Sequence, residues 1–354
     1  MRYNNAIMSD VVLYRKYRPK SFEEVIGQDH IVKTLAGALK LGNIFHAYLF
    51  AGSRGTGKTT LARIVAREIG ASGNDVYEID AASNNGVDEM RAINEAVSTL
   101  PFDSPYKVYI FDEVHMFSKA AFNALLKTLE EPPKHAVFIL ATTEMDKLPE
   151  TVISRCQVFR LKKPTKEILK QSIAFISKKE GFSLEAGVPD LIALLGDGSF
   201  RDTQGTLQKV ISASKDKKIL LAEVEMVTGA PKGQLVNDFI EALDGKKIES
   251  AFFALRQALA SNIDAKIFLQ LVLQKLRLIL LLRYAKEAEK EIAGEVSPED
   301  FTFLKKIAGA KDSAISSALL SEFLSVYDSV GRAYIPALPI ELALVRILGQ
   351  NAKL

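Results

Sequence analysis

The segment Gly52–Thr59 limits the possible folds of this chain more than any other part of its sequence. It reads Gly-Ser-Arg-Gly-Thr-Gly-Lys-Thr and fits the pattern G-x-x-x-x-G-K-[ST] at every fixed position. The apolar run YLF precedes it, and the helical pattern TTLARIVAREI overlaps its end. In such a strand–loop–helix arrangement, glycines allow backbone N–H groups to surround phosphates at a helix N-terminus. The sequence therefore predicts a phosphate-binding loop within a βαβ unit.

Individual residues of this loop have distinct expected roles. We expect the Lys58 ammonium to reach the β- and γ-phosphate oxygens of ATP and the Thr59 hydroxyl to hold Mg²⁺. A chance match is the alternative, but such a pattern arises in only about one in a hundred chains of this size. The strand and helix on either side favour the functional interpretation. The remaining predicted nucleotide contacts of the loop are Gly52, Ser53, Arg54, Gly55, Thr56, Gly57 and Thr60.

Short apolar runs alternate with helical stretches between Leu13 and Lys163. This alternation is typical of βαβ units and a mostly parallel sheet. The runs are apolar at consecutive positions, as expected for central strands covered on both faces. The predicted strands are Ala47–Gly52, Val76–Asp80, Val108–Glu113, Ala136–Thr142 and Gln157–Leu161.

Beyond Lys163 the pattern becomes helical. No strand pattern remains over residues 164–228, and apolar residues recur at helical spacing after the segment GAPKG. Gly181 and Gly196 stand where predicted helices end. We therefore predict an α/β nucleotide-binding domain over residues 1–163, a helical domain over residues 164–228 and an all-α domain over residues 229–354.

Composition excludes several classes of protein. The 354 residues include 46 Lys and Arg against 43 Asp and Glu, so any DNA contact needs a local basic patch. Cys156 is the only cysteine, which excludes an internal disulfide and a cysteine-cluster metal site. The N-terminus lacks the layout of a signal peptide, and the most apolar stretch, Phe268–Tyr284, is too short and too basic for a membrane span. We expect a cytoplasmic protein without a membrane segment.

Two carboxylates, Asp112 and Glu113, end the apolar run VYIF. This position places them at the C-terminal edge of the predicted sheet, where open α/β folds bind ligands. Asp112 would hold Mg²⁺ through water, and Glu113 would polarise an attacking water. The alternative is an acidic pair that caps the next helix. Because a phosphate-binding loop precedes the pair, the catalytic interpretation is favoured.

Three further polar residues each have two interpretations. Thr143 follows the strand VFILAT and could orient the water or sense the γ-phosphate, but threonine is also a common strand residue. Arg155 in LPETVISRC and Arg201 in GDGSFRD could stabilise phosphoryl transfer. Arginine is more often an ordinary surface or ion-pair residue. The residues alone leave both interpretations open.

Five segments, taken in order, resemble a known family. The chain resembles the gamma/tau subunits of the bacterial DNA polymerase III clamp loader, which are AAA+ ATPases. The run FNALLKTLEEPP is the most specific part, because related archaeal and eukaryotic subunits share the SRC motif but differ here. The resemblance is strong up to Asp202 and follows only the helical pattern beyond it. The segments are Tyr14–Ile31, the phosphate-binding loop, Phe111–Pro133, Ala141–Cys156 and Gly198–Asp202.

The resemblance implies roles for particular residues. Thr143 resembles the sensor-1 threonine, Arg155 an arginine finger that acts on a neighbouring subunit, and Arg201 the sensor-2 arginine of a helical lid. The segment that closes over the adenine is implied to include Tyr14, Arg15 and Pro19.

The resemblance also implies a function and partners. The C-terminal region resembles a collar that joins subunits into a pentameric ring with delta-like and delta-prime-like subunits. The implied function is ATP-driven loading of a sliding clamp onto primer–template DNA, within a polymerase holoenzyme. The chain shows no polymerase active site of its own.

The chain departs from the family in two places. Family members usually carry a four-cysteine zinc module after the phosphate-loop helix, whereas Ile64–Ser83 contains no cysteine. We therefore expect no zinc, and a helix, a short loop and a strand in this interval. The sequence ends where the collar is expected to end, so we expect a gamma-like form without the tau extension.

Two alternatives remain. A structural, delta-prime-like subunit typically has a decayed phosphate loop, whereas Lys58, Thr59, Asp112 and Glu113 are intact here. A branch-migration AAA+ motor needs a C-terminal winged-helix domain, and this chain has a plain helical pattern instead. Both alternatives are therefore less favoured than the clamp-loader motor.

Overall fold

The computed structural model describes residues 12–349 except residues 215, 232, 261 and 262. The N-terminal residues 1–11, for which no signal peptide is expected, lie outside the described residues. The chain divides into two compact units. The first reaches to Ser172 and includes Gly196–Gly205, and the second contains Ile173–Leu195 and the chain from Thr206 onward. The division into three domains stays a prediction.

A five-stranded parallel sheet forms the centre of the first unit. Its strands are β1 (Ala47–Ala51), β2 (Val76–Asp80), β3 (Lys107–Asp112), β4 (Ala136–Thr142) and β5 (Gln157–Arg160). They are arranged in the order β2-β3-β4-β1-β5. The prediction of a mostly parallel sheet is confirmed, and every predicted strand end lies within one residue of the observed end.

Helices cover both faces of this sheet. Alternation along β1 directs Leu49 to one apolar cluster and Tyr48 and Phe50 to the other. Since both faces are buried, the strands are apolar at consecutive positions. The helices from the N-terminus onward are α1 (Leu13–Lys16), α2 (Asp29–Lys40), α3 (Lys58–Glu68), α4 (Val87–Val97), α5 (Lys119–Glu130), α6 (Glu150–Ile153) and α7 (Lys166–Lys179).

The interval Ile64–Ser83 forms the end of α3, a short connection and β2, as predicted. The Asp75 side chain stabilises this connection through hydrogen bonds. Its buried carboxylate accepts hydrogen bonds from the backbone N–H groups of Phe102, Asp103 and Ser104 at 2.6, 3.0 and 3.0 Å. The loop before β3 is therefore tied directly to the start of β2.

The second unit contains a small sheet that the sequence analysis missed. Strands β6 (Ser183–Leu184) and β7 (Lys218–Ile219) pair in parallel, so the prediction of no strand over residues 164–228 was wrong. A two-residue strand is too short to produce a recognisable hydrophobic pattern. The helices of this part of the chain are α8 (Val188–Leu195), α9 (Phe200–Ala213) and α10 (Leu221–Thr228).

The remaining chain is helical in the described residues, as predicted. Its core includes the fully buried rings of Phe239, Phe268 and Phe323. Lys275 interrupts the apolar run of the longest helix because its ammonium pairs with Asp300 at 2.6 Å inside this core. The helices are α11 (Gly233–Asp244), α12 (Ile248–Ala260), α13 (Ala265–Tyr284), α14 (Glu289–Glu295), α15 (Pro298–Gly309), α16 (Ser317–Val326) and α17 (Leu338–Leu348).

Among the described residues, none of the helices combines the length and hydropathy needed to cross a bilayer.

Candidate active site

The loop between β1 and α3 depends on glycine at two positions. Gly55 and Gly57 have φ angles of 73° and 104°, in the left-handed region that glycine tolerates best. A Cβ atom on Gly55 would also collide with the Ser199 side chain. The backbone N–H of Phe200 donates to the Gly55 carbonyl at 3.0 Å. The loop is therefore tightly packed on one side while its chain turns into the N-terminus of α3.

Lys58 begins α3 and is buried, with 5% of its surface exposed. Its ammonium donates to the carbonyl oxygens of Gly52 at 2.9 Å and Ser53 at 3.1 Å. Burial lowers the pKa of Lys58, whereas the nearby carboxylates of Glu113 and Asp112 raise it. A desolvated ammonium at the loop gains strongly from an anionic partner such as a phosphate.

The other loop residues lie around these atoms. Thr56 is buried and donates to the Ser53 carbonyl at 2.9 Å, while Ser53 and Arg54 are exposed. Thr60 lies in the first turn of α3. The backbone of the loop, rather than these side chains, surrounds the helix N-terminus, where a phosphate is favourable.

The side chains of Thr59, in α3, and Asp112, at the end of β3, are in contact. The Thr59 hydroxyl donates to Asp112 Oδ2 at 2.8 Å, and Asp112 Oδ1 accepts from the Glu113 backbone N–H at 3.0 Å. Both carboxylate oxygens are thus oriented by the chain itself. A hydroxyl and a carboxylate are hard oxygen donors of the kind that Mg²⁺ prefers. This donor pair fits Mg²⁺.

Glu113 adopts a left-handed backbone conformation directly after β3, with a φ of 49°. A non-glycine residue in that region costs about 1–3 kcal/mol, so the surrounding structure must hold it there. The Thr143 hydroxyl, directly after β4, donates to Glu113 Oε2 at 3.1 Å. The ends of β3 and β4 therefore bring together two residues that the sequence analysis assigned separately.

A buried histidine lies beside this pair, and the sequence analysis did not assign it a role. His115 has 7% of its side chain exposed, and its Nδ1 lies 3.0 Å from the Thr142 hydroxyl and 3.5 Å from Glu113 Oε2. Its Nε2 lies 3.3 Å from Glu144 Oε1. The available signal was its position two residues after Glu113, but the left-handed turn that directs its ring to β4 has no sequence signature.

A second group of residues lies around Tyr14. The Arg201 guanidinium lies 5.6 Å from the Tyr14 ring centroid, and that of Arg15 lies 5.9 Å from it. Arg201 is also close enough to lower the pKa of Lys58 through charge repulsion, after the larger effect of burial. Pro19 follows α1 in the same N-terminal segment. The structure thus joins Tyr14, Arg15 and Arg201 near the phosphate loop.

Arg18 belongs to this second group but had no predicted role. Its pKa is lowered, first by burial and then by the charges of Arg63, Arg201 and Arg15. The bidentate pair of Arg63 with Glu78, with two bonds of 2.7 Å, partly offsets that positive charge. The neighbourhood is therefore electropositive and attracts anions.

Arg155 lies apart from this group. Its guanidinium contacts Glu130 Oε1 of α5 at 2.5 Å and the Thr151 carbonyl of α6 at 2.8 Å. Among the described residues, its hydrogen-bond partners do not include Lys58 or Glu113. The next residue, Cys156, is largely buried, which raises the pKa of its thiol to about 12. The described residues contain no group of three or more His, Cys, Asp or Glu placed to hold a metal ion.

The sheet order and the loop define an α/β P-loop protein with the AAA+ fold. The structure is similar to the Thermotoga maritima RuvB Holliday junction branch migration motor, with a TM-score of 0.52 and 24% identity, over 64% of this chain and 79% of that chain. The T158V form of that protein matches over 79% of this chain and 99% of its own, at a TM-score of 0.52 and 21% identity. Likeness at this identity shows the fold alone.

Sequence comparison identifies the family to which the chain belongs within this fold class. The gamma subunit of DNA polymerase III from Buchnera aphidicola is 40% identical over 265 residues, covering 68% of this chain and 73% of the relative. The chain belongs to the gamma/tau family of DNA polymerase III subunits. The protein-family model described as DNA polymerase III, delta subunit, matches residues 72–165 of this chain.

Two longer relatives extend the match. The tau subunit of Bacillus subtilis is 41% identical over 303 residues, which is 80% of this chain and 54% of the relative. The gamma/tau subunit of Mycobacterium tuberculosis H37Rv is 33% identical over 369 aligned positions, which is 97% of this chain and 63% of the relative. The chain therefore spans less than two thirds of the length of these relatives.

Proposed function

We propose that the chain is the ATP-hydrolysing motor subunit of a DNA polymerase III clamp loader, which loads a sliding clamp onto primed DNA in the cytoplasm. One observation carries the proposal: Lys58, Thr59, Asp112, Glu113 and Thr143 converge where β1, β3 and β4 end. Family membership supports the choice of a clamp loader among the functions that the AAA+ fold serves.

The phosphate loop and the end of β3 share the binding of ATP. Lys58 and the backbone of Gly52–Thr59 bind the phosphates, and Thr59 with Asp112 holds Mg²⁺. This ion would supply positive charge that neutralises the negative charge developing during phosphoryl transfer. Tyr14, Arg15 and Pro19 lie toward the adenine. No zinc takes part.

Glu113 orients the water that attacks the γ-phosphate and accepts its proton. The Thr143 hydroxyl donates a hydrogen bond to Oε2 of this carboxylate at 3.1 Å. Among the described groups none donates a hydrogen bond to Oε1, and we assign this oxygen to the attacking water. Fixing one oxygen leaves the other in a defined direction, as general base catalysis requires. Arg201 adds positive charge near the transferred group.

Ring assembly completes the site. Arg155 acts on the nucleotide of a neighbouring subunit, as an arginine finger stabilises the charge of the transition state. Residues 1–163 form the nucleotide-binding domain, residues 164–228 a lid, and residues 229–354 a collar. The collar joins delta-like and delta-prime-like subunits in a pentameric ring that engages the clamp and primer–template DNA.

ATP turnover measured with each ligand alone and with both together tests this function. The assembled protein should hydrolyse ATP slowly alone and much faster with a sliding clamp and primed DNA together than with either one. Lys58→Ala should lose nucleotide binding and serves as the control. A four-way DNA junction replaces primed DNA in a parallel reaction. Stimulation by the junction, or no synergy between clamp and primed DNA, contradicts the clamp-loader assignment.

A further inference from the structure

His115 lies where it can control the direction of the Glu113 side chain. It occupies the short turn Val114–Met116 directly after Glu113. Because Glu113 is left-handed, the turn folds back and brings His115 Nδ1 to within 3.5 Å of Glu113 Oε2. The imidazole has 7% of its surface exposed, so its two nitrogens depend on protein partners.

One ring nitrogen faces a carboxylate that is itself held in place. His115 Nε2 lies 3.3 Å from Glu144 Oε1, and the other oxygen of Glu144 pairs with Lys147 at 2.9 Å. The hydrogen bond from Lys147 holds the pKa of Glu144 below its usual value. An ionised carboxylate can only accept hydrogen bonds. The Nε2 atom of His115 therefore faces a negative charge.

The other ring nitrogen faces a buried hydroxyl. His115 Nδ1 lies 3.0 Å from Thr142 Oγ1, and that oxygen already accepts the Glu144 backbone N–H at 3.0 Å. The hydrogen bond between Thr142 and His115 holds the Nδ1 edge of the ring beside the end of β4. The ring is therefore fixed by the Thr142 hydroxyl on one side and faces the Glu144 carboxylate on the other.

We propose that His115 is a positioning residue for Glu113, an inference that rests on the proposed hydrolysis. Thr142 and Glu144 hold the His115 ring, and the ring lies against Oε2 of Glu113. Together with the Thr143 hydroxyl, it restricts rotation of the carboxylate, so that Oε1 keeps one direction.

The first experiment compares His115→Ala, His115→Asn and the matched control His46→Ala, whose side chain is exposed. The assembled protein is assayed with clamp and primed DNA. Loss of an orienting partner typically costs about 10–100-fold in activity, so His115→Ala should lower kcat by that factor. Affinity for a fluorescent, non-hydrolysable ATP analogue should stay unchanged. Asparagine can keep a hydrogen bond with the Thr142 hydroxyl and should recover part of kcat, and His46→Ala should match the unmodified protein.

A double-mutant cycle tests whether Glu144 acts through His115. Glu144→Ala should lower kcat several-fold alone and cause almost no further loss in the His115→Ala background, because coupled residues are not additive. A readout without turnover is the ¹⁵N NMR spectrum of the four histidines in the full chain. The signal that disappears in His115→Asn should shift in Glu144→Ala, because that change removes the charge beside Nε2.

The outcomes separate this inference from the proposed function. If the unmodified protein hydrolyses ATP and both His115 variants keep its kcat, the positioning role is wrong while the proposed function stands. Weaker binding of the analogue at unchanged kcat also overturns the role, since positioning acts on the chemical step. A His115 signal that stays unchanged in Glu144→Ala contradicts the assigned contact. If the unmodified protein binds ATP but never hydrolyses it, the proposed function fails and the inference fails with it.

Discussion

Under the proposed function, Arg155 completes the nucleotide site of a neighbouring subunit. Its described hydrogen bonds reach Glu130 at 2.5 Å and the Thr151 carbonyl at 2.8 Å, and neither partner belongs to the phosphate loop. We therefore expect Arg155→Ala to keep the nucleotide affinity of its own subunit. The change should instead remove a positive charge from the transition state at the adjacent site.

The expected loss of stability is far smaller than the expected loss of turnover. The side chains of Arg155 and Glu130 are 33% and 52% exposed, and pairs of this exposure contribute about 0–1 kcal/mol. The hydrogen bond to the Thr151 carbonyl adds about 0.5–1.5 kcal/mol. Arg155→Ala should therefore lower the free energy of unfolding by about 2.5 kcal/mol at most. Removal of an arginine finger lowers turnover by about 10³–10⁵-fold.

The assay mixes Arg155→Ala subunits with Lys58→Ala subunits in the presence of clamp and primed DNA. Neither variant should hydrolyse ATP alone, but the mixed assembly contains interfaces where both residues are intact. Turnover should therefore reappear on mixing. Arg160→Ala, which changes an exposed arginine on β5, serves as the control and should retain turnover. Native mass spectrometry confirms that subunits have mixed. If mixed assemblies form without any turnover, Arg155 does not act on a neighbour and the ring mechanism is refuted.

Three other predictions follow from single side chains. Glu113→Gln should retain binding of ATP in a filter or fluorescence assay while kcat falls by about 10²–10⁴-fold, because only the base is removed; near-normal turnover would show that Glu113 has another role. Lys275→Met should lower the free energy of unfolding, measured in urea, by about 3 kcal/mol because the mostly buried Asp300 carboxylate then loses its cationic partner and keeps only the amide of Asn237, and adding Asp300→Leu should restore most of that loss. Burial alone would raise the pKa of Asp75, but hydrogen bonds from Ser104 and its neighbours hold it well below the usual range. Its folded-state pKa is therefore depressed, and the stability that it contributes above the ordinary aspartate pKa of about 3.9 is lost as the pH falls; urea midpoints of Asp75→Asn should decline less between pH 7 and pH 3 than those of the unmodified protein.

Two features were predictable because a short stretch of sequence determines each of them. The strands around Leu49 and Ile139 are covered on both faces, so consecutive apolar residues identified them to within one residue at each end. The phosphate loop has fixed residues at fixed spacing, and Gly55 and Gly57 indeed take the conformations for which glycine is suited. Local pattern and local geometry coincide in both cases.

The contacts that were missed join residues far apart in the chain. Nothing near Lys275 indicates that it pairs with Asp300, 25 residues later, on another helix. The relation of His115 to Thr142 depends on the register of β3 and β4 and on the left-handed φ of Glu113. Strand register has no local sequence signal. The left-handed φ of Glu113 has none either, because glutamate seldom adopts that conformation. A search for titratable residues just beyond the ends of neighbouring strands would have included His115 and Glu144 among the candidates.

The two parts of the proposed site differ in how firmly the protein holds them. Glu113 follows a buried strand, and its oriented carboxylate is fixed by Thr143 and lies against a buried imidazole. Arg155, in contrast, is held by an ion pair with Glu130 that is exposed to solvent and therefore weak. The phosphates of a nucleotide bound to a neighbouring subunit carry more negative charge than one carboxylate. They can therefore replace Glu130 as the partner of Arg155 at little cost in free energy. Under the proposed function, a rigid base combined with an exchangeable arginine makes hydrolysis depend on the contact between subunits, because only assembly brings Arg155 to a nucleotide.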